Sequence, residues 1–268
     1  MIFSLTMKKA LLASLLALAS ALTASASIKT RAVEYKDGDT VLQGWAAWED
    51  GFKDQRPGII VVHEWMGHGP YARRRAEQLA RLGFTAFAVD MYGKGVYAKD
   101  HEEAGKLAGA FFADRAAMRR RALAGLEQLR KLPFVDQDKL GAIGYCFGGT
   151  TVLELARAGT ALKGVVSFHG NLATPAPATE KPKAAILVLH GADDGFVNPG
   201  VPAFMEEMRA AKADWQFVQY GGAVHSFTVP EAGTDTAKGM AYNKAADRRS
   251  WEAMRAFFEE IFSDKPAK

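Results

Sequence analysis

One cysteine, Cys146, stands among 268 residues, so no internal disulfide can form and packing alone has to stabilise the fold. Charge of one sign is also scarce: the formal net charge is only +4. Most basic residues alternate with acids along helical stretches, which describes a solvated surface rather than a nucleic-acid face. No glycine-rich phosphate loop follows the first continuous apolar run, residues 58–62, which argues against a nucleotide cofactor. His63 and His68 stand at i and i+5 in a stretch containing Gly67, whereas a zinc-binding helix needs histidines at i and i+4. Neither a metal nor a cofactor is therefore expected. There is no internal repeat, and a run long enough to span a bilayer is missing.

The longest uncharged apolar run, residues 10–23, falls short of the roughly twenty residues a membrane-spanning helix needs. It follows Met7-Lys8-Lys9 and precedes Ala24-Ser25-Ala26, the basic, apolar and small-x-small pattern of a secretory signal peptide cut after Ala26. Export, to a periplasm or beyond, with no lasting membrane anchor is the expectation. Met1 and Met7 are both possible initiators.

What is present is an alternation of strands and helices. Residues 28–34 and 41–48 read as a hairpin across Lys36-Asp37-Gly38-Asp39. Residues 58–62, 84–89, 140–143, 165–168, 184–189 and 215–220 read as strands, the first of them as a strand buried on both faces. Between and after them, residues 71–82, 101–131, 150–157, 202–212 and 241–262 have helical spacing, the last with an apolar stripe through Trp251, Met254, Phe257, Phe258 and Ile261 that reads as core. This pattern predicts one α/β domain over residues 27–268, with a mostly parallel sheet covered on both faces.

The chemistry gathers where strands end. Gly144-Tyr145-Cys146-Phe147-Gly148-Gly149 lies between an apolar strand and a helix, the setting of a nucleophile elbow, with a thiol as nucleophile. A free thiol is mostly protonated at neutral pH, so attack requires a base, and the base requires an orienting group. Gly221-Gly222-Ala223-Val224-His225 supplies a histidine after one strand, and Ala192-Asp193-Asp194-Gly195 supplies two aspartates after another. Loops at the carboxyl ends of parallel strands converge on one crevice, so these groups can meet. Asp194 is favoured over Asp193 by its spacing to Phe196-Val197, and Asp193 stays open.

Four stretches together resemble the dienelactone hydrolase family of α/β-hydrolases: Gly-Tyr-Cys146-Phe-Gly-Gly, Asp194-Gly-Phe-Val, Gly-Ala-Val-His225-Ser-Phe and Val61-Val-His63-Glu64-Trp65. The resemblance implies the α/β-hydrolase fold and a Cys146–His225–Asp194 triad. It also implies a Glu64 that contacts and helps to activate the thiol, and an oxyanion hole formed by the backbone N–H groups of Trp65 and Phe147. It implies hydrolysis of a small ester or lactone through an acyl-cysteine, by a protein expected to act as a monomer. The arginines that bind a substrate carboxylate in that family have no counterpart after Ser226-Phe227 or near His101-Glu102-Glu103. Lys94, Lys99, Arg248 and Arg249 are candidate substitutes, and Tyr92 and Lys94 are the expected substrate contacts. Trp65, Tyr92 and Phe147 would form an aromatic wall. A broader carboxylesterase or thioesterase, and a catalytically weak ligand-binding or thiol-sensing protein on the same fold, remain the alternatives.

Overall fold

A computed structural model describes residues 27–51 and 54–263; the expected signal peptide, residues 1–26, lies outside them. The hairpin is longer than its apolar residues suggest: β1 (Ile28–Asp37) and β2 (Thr40–Glu49) pair antiparallel along their whole length around Gly38-Asp39. The chain continues through β3 (Arg56–Val62), α1 (Pro70–Arg81), β4 (Thr85–Val89), α2 (His101–Ala113), α3 (Arg115–Arg130), β5 (Val135–Tyr145), α4 (Phe147–Arg157) and β6 (Gly164–Phe168). It ends with β7 (Ala185–Gly191), α5 (Val201–Ala210), β8 (Trp215–Tyr220) and α6 (Lys244–Ile261).

The eight strands form one sheet in the order β1-β2-β4-β3-β5-β6-β7-β8, antiparallel at β1-β2 and β2-β4 and parallel from β4 onward. Strand period two sends neighbouring side chains to opposite faces. Ile60 and Val62 therefore join one apolar cluster with Met118, Leu126, Val152 and Phe204, while Ile59 and Val61 join another with Leu79, Tyr145, Phe257 and Phe258. Helices α2 to α5 thus cover the first face, and α1 and α6 the second.

Two expectations are corrected. The stretch 101–131 is not one helix. Asp114 leaves helical geometry at φ −123°, ψ 86° and its carboxylate accepts the Ala117 N–H at 2.8 Å, so it ends α2 and caps α3. β5 starts well before Leu140: Val135 and Asp136 pair with Arg56 and Pro57, and the register then jumps to Leu140 opposite Gly58, leaving the polar residues between them as a bulge.

Candidate active site

Cys146 sits at the turn between β5 and α4, at the carboxyl edge of the sheet's middle. Its backbone lies at φ 52°, ψ −111°, a conformation that L-residues avoid, and it is held there by its N–H on the Phe168 carbonyl at 3.0 Å. The turn is so tight that glycine is required beside it. A Cβ on Gly148 would lie 2.1 Å from the Val62 carbonyl oxygen, and one on Gly144 would lie 2.0 Å from that of Gly148.

His225 and Asp194 arrive from two neighbouring strand ends. His225 Nε2 lies 3.1 Å from Cys146 Sγ, and His225 Nδ1 lies 2.7 Å from Asp194 Oδ2. Asp194 is wholly buried, and its Oδ1 accepts the N–H groups of Phe196 and Val197 at 3.0 and 3.2 Å. Burial by itself would push the His225 imidazolium down. The negative charge of Cys146 as thiolate and the hydrogen bonds of Asp194 and Cys146 outweigh it, and the group is raised to about 10. Asp193 points elsewhere and accepts the Gly222 N–H at 2.9 Å. The loop carrying the histidine is clamped from outside: His225 N–H donates to the Gly239 carbonyl, Ala241 N–H to that of His225, and Asn243 N–H to that of Phe227.

Glu64 lies just after β3, almost fully buried. Its Oε2 accepts the Met66 N–H at 2.8 Å, capping its own turn, and the sulfur of Cys146 is turned to His225 instead. The contact between Glu64 and the thiol that the family resemblance implies is therefore not a hydrogen bond in this arrangement, because the carboxylate is engaged by its own loop. Burial raises the Glu64 carboxyl to about 7, the Met66 N–H opposing and the charge of Glu231 adding to it. His63 is fully buried with both ring nitrogens on backbone: Nδ1–H donates to the Glu64 carbonyl at 2.5 Å, and Nε2 accepts the Met91 N–H at 3.2 Å.

Trp65 follows Glu64, and its carbonyl accepts the Tyr92 hydroxyl at 2.9 Å, which fixes the peptide plane of this turn. Phe147 opens α4, where the first N–H groups have no acceptor within the helix. These two backbone segments leave the ends of β3 and β5, which are adjacent in the sheet. The Tyr92 ring packs against His63 and Phe147 at centroid distances of 4.8 and 5.6 Å, so the expected aromatic wall is largely internal. Lys94 is not brought into the site: it is exposed and its ammonium pairs with Glu34 of β1. Its loop crosses the β1–β2 hairpin, hydrogen-bonding the Val41 carbonyl.

A cleft of about 480 Å³ meets this site through Glu64, Trp65 and Ser226 and is walled further out by Tyr97, His101, Val229, Glu231 and Met240 among others; Cys146 and His225 themselves do not line it. None of Lys94, Lys99, Arg248 and Arg249 lines it. Lys238 does, and sits 3.9 Å from Asp235; Glu231 is 3.0 Å from Arg74. His101, Val229, Glu231 and Met240 had no signal of their own, since each becomes a wall residue only through the path of its loop. Phe196, mostly exposed, turns its ring edge toward His225 at 6.0 Å; its place two residues after Asp194 was the clue available.

A strand–turn–helix elbow carrying Cys146 at the centre of a mostly parallel eight-stranded sheet, with His225 and Asp194 on later strand ends, is the arrangement of an α/β-hydrolase. Within that class the chain belongs to the dienelactone hydrolase family, whose sequence model matches residues 42–262. A solved structure titled m3DLH is 42% identical and superposes with a TM-score of 0.84, covering 88% of this chain and 99% of that one. A dienelactone hydrolase-like promiscuous phosphotriesterase, P91, from metagenomic libraries is also 42% identical, with a TM-score of 0.82 and coverage of 88% and 100%. Protein usf of Aquifex pyrophilus is 28% identical over 242 residues, 86% of this chain and 98% of its own length. The chain is thus a hydrolase of this family.

Proposed function

We propose that this protein hydrolyses a small carboxylic ester or lactone through a thioester on Cys146. The observation that carries the reading is the unbroken chain from Sγ to His225 at 3.1 Å and from His225 to buried Asp194 at 2.7 Å, the arrangement a thiol needs to become a nucleophile. His225 takes the thiol proton as Sγ bonds to the carbonyl carbon. The resulting oxyanion is held by the N–H groups of Trp65 and Phe147, and His225 returns the proton to the departing alcohol oxygen. A water then loses a proton to His225, attacks the thioester, and the acid leaves as Cys146 regains its hydrogen. Each oxyanion donor is worth roughly 3 kcal/mol of barrier in such sites.

The cleft favours an uncharged ester. Lys238 and Arg74 already face Asp235 and Glu231, and a carboxylate entering here would meet Glu231 and the buried Glu64. A second substrate class is supported by the 42% identical relative described as a promiscuous phosphotriesterase: an uncharged phosphotriester would place its phosphoryl oxygen where the ester oxyanion develops. The Met7-Lys8-Lys9 to Ala26 pattern supports export, with the mature chain working as a monomer free of the membrane.

Turnover of p-nitrophenyl acetate by the wild type, Cys146→Ala and His225→Ala, with intact-mass detection of an acetyl adduct, tests the reading. Wild-type turnover lost in both variants, with an adduct that disappears in Cys146→Ala, is expected. Activity that survives both substitutions overturns it.

A further inference from the structure

A second buried histidine, His169, lies behind the first. It follows β6 and is fully buried in the left-handed region at φ 41°, where a glycine would be at ease. Its ring faces that of His225 at 5.3 Å and 68°, and that of Phe227 at 5.2 Å and 79°. A phenylalanine ring would satisfy those contacts. What imidazole adds is one hydrogen bond, from Nε2 to Thr228 Oγ1 at 2.7 Å; Nδ1 has no partner.

That bond ends a longer chain. Arg75, buried on α1, pairs with Asp247 of α6 at 2.6 Å and donates to the Thr228 carbonyl at 2.9 Å. Its Nε also donates to the Tyr71 oxygen at 3.2 Å, and the Tyr71 hydroxyl lies 3.2 Å from the Thr228 carbonyl and 2.6 Å from Thr228 Oγ1. Thr228 Oγ1 in turn shares its hydrogen bond with His169 Nε2. Thr228 stands three residues after His225, on the same loop, and its links to Tyr71, Arg75 and His169 are buried, where a hydrogen bond that loses its partner is costly. Burial, with the charges of His225 and Arg75 adding to it, holds His169 well below the ordinary histidine range, so the ring stays neutral beside the base.

We propose that His169 and Thr228 are positioning residues for His225. On this assignment, which rests on the hydrolase reading above, Asp194 fixes one ring nitrogen of His225 while the Thr228–His169 bond fixes the loop from the core side. The distance to Cys146 Sγ is then set by both. Misplacement of a base by an ångström or less costs rate rather than substrate affinity.

The test uses His169→Phe, Thr228→Val, their double variant and Thr228→Ser, read by ester kinetics and by the rate at which iodoacetamide alkylates Cys146. His169→Phe and Thr228→Val should each lower kcat by roughly tenfold to a hundredfold with KM within about twofold. The double variant should lose little more than either single one, because both remove one bond. Thr228→Ser, which keeps the hydroxyl, should recover most of the rate, and alkylation should follow the same order. Wild-type kcat and alkylation in both single variants overturn the proposal. So do additive losses that track a falling melting temperature and are not rescued by serine. A wild type with no Cys146-dependent turnover removes the hydrolase reading instead, and the alkylation series alone then decides whether His169 and Thr228 position His225.

Discussion

Asp193 and Asp194 are adjacent in the chain yet hold opposite parts of the histidine loop: Asp194 Oδ2 takes the ring of His225 at 2.7 Å, and Asp193 Oδ2 takes the backbone N–H of Gly222 at 2.9 Å. The first is buried without solvent contact, whereas the second lies at the surface. One holds the ring of His225, the proposed proton acceptor; the other tethers a turn.

The two carboxylates therefore separate cleanly on substitution. Asp194→Asn should cut kcat by roughly 10⁴, since an amide cannot hold the required tautomer or offset the imidazolium charge. Asp193→Asn keeps an oxygen for Gly222 and should stay within a few-fold of the wild type. Steady-state kinetics on one p-nitrophenyl ester measures both, and equal losses would return the acid's identity to the open state it has in the sequence.

Glu64 gives stability a pH dependence of definite sign. Its carboxyl is raised from 4.5 to about 7 by burial first and by Glu231 second. Between these values the unfolded chain has released the proton and the folded chain still holds it. Glu64's own contribution to stability therefore falls as pH rises from about 4.5 to about 7 and then levels off, while buried His63 and His68, lowered to about 4 and about 3, contribute with the opposite sign over much of the same range. The span corresponds to an upper limit of roughly 3 kcal/mol. Glu64→Gln should lose this contribution and be more stable than the wild type at pH 8. Urea unfolding of both proteins at pH 5 and pH 8 reads the difference between their slopes, and a wild type whose stability changes with pH just as that of Glu64→Gln does refutes the assignment.

Cys146, the proposed nucleophile, is also a strained residue. At φ 52° a side chain costs roughly 1 kcal/mol or more that glycine does not. Cys146→Gly should unfold at a higher urea concentration than Cys146→Ala, by about 1 kcal/mol, with neither variant active. Equal midpoints would mean that the turn relaxes when the sulfur is gone, and that the strain belongs to the thiol's contacts.

How much of the fold and the site is legible in the chain depends on whether a signal is local. Cys146, Asp194 and His225 each stand in a glycine-containing loop just after an apolar strand, so chain order and the convergence of parallel strand ends are enough to bring them together. β8 is legible to the residue, because Trp215-Gln216-Phe217-Val218-Gln219-Tyr220 carries its own pattern. The break at Asp114 is hidden, since an aspartate inside a run rich in alanine and arginine looks helical until its side chain is seen to cap α3. The start of β5 is hidden for a different reason: Gln137-Asp138-Lys139 is polar, and only pairing with Arg56 and Pro57 makes its flank a strand. Lys94 misleads because its partner, Glu34, lies in a hairpin far back in the chain. Thr228 and His169 are silent too, being linked only by the fold.

The neighbouring places of β3 and β5 in the sheet carry a consequence for how such a protein can change. Trp65 and Phe147 leave adjacent strands whose register is fixed from Gly58 opposite Leu140 to Val62 opposite Gly144. Between them in the chain, β4 returns to the sheet on the other side of β3, and only the stretch from β4 to β5, which carries Tyr97, α2 and α3, is an excursion away from it. Lengthening or trimming that stretch would re-roof the cleft, where Tyr97 and His101 stand, while leaving β3, β4 and β5 paired. On the proposed mechanism, substrate range can therefore drift through insertions and deletions in one region of the chain, without the reaction itself being rebuilt.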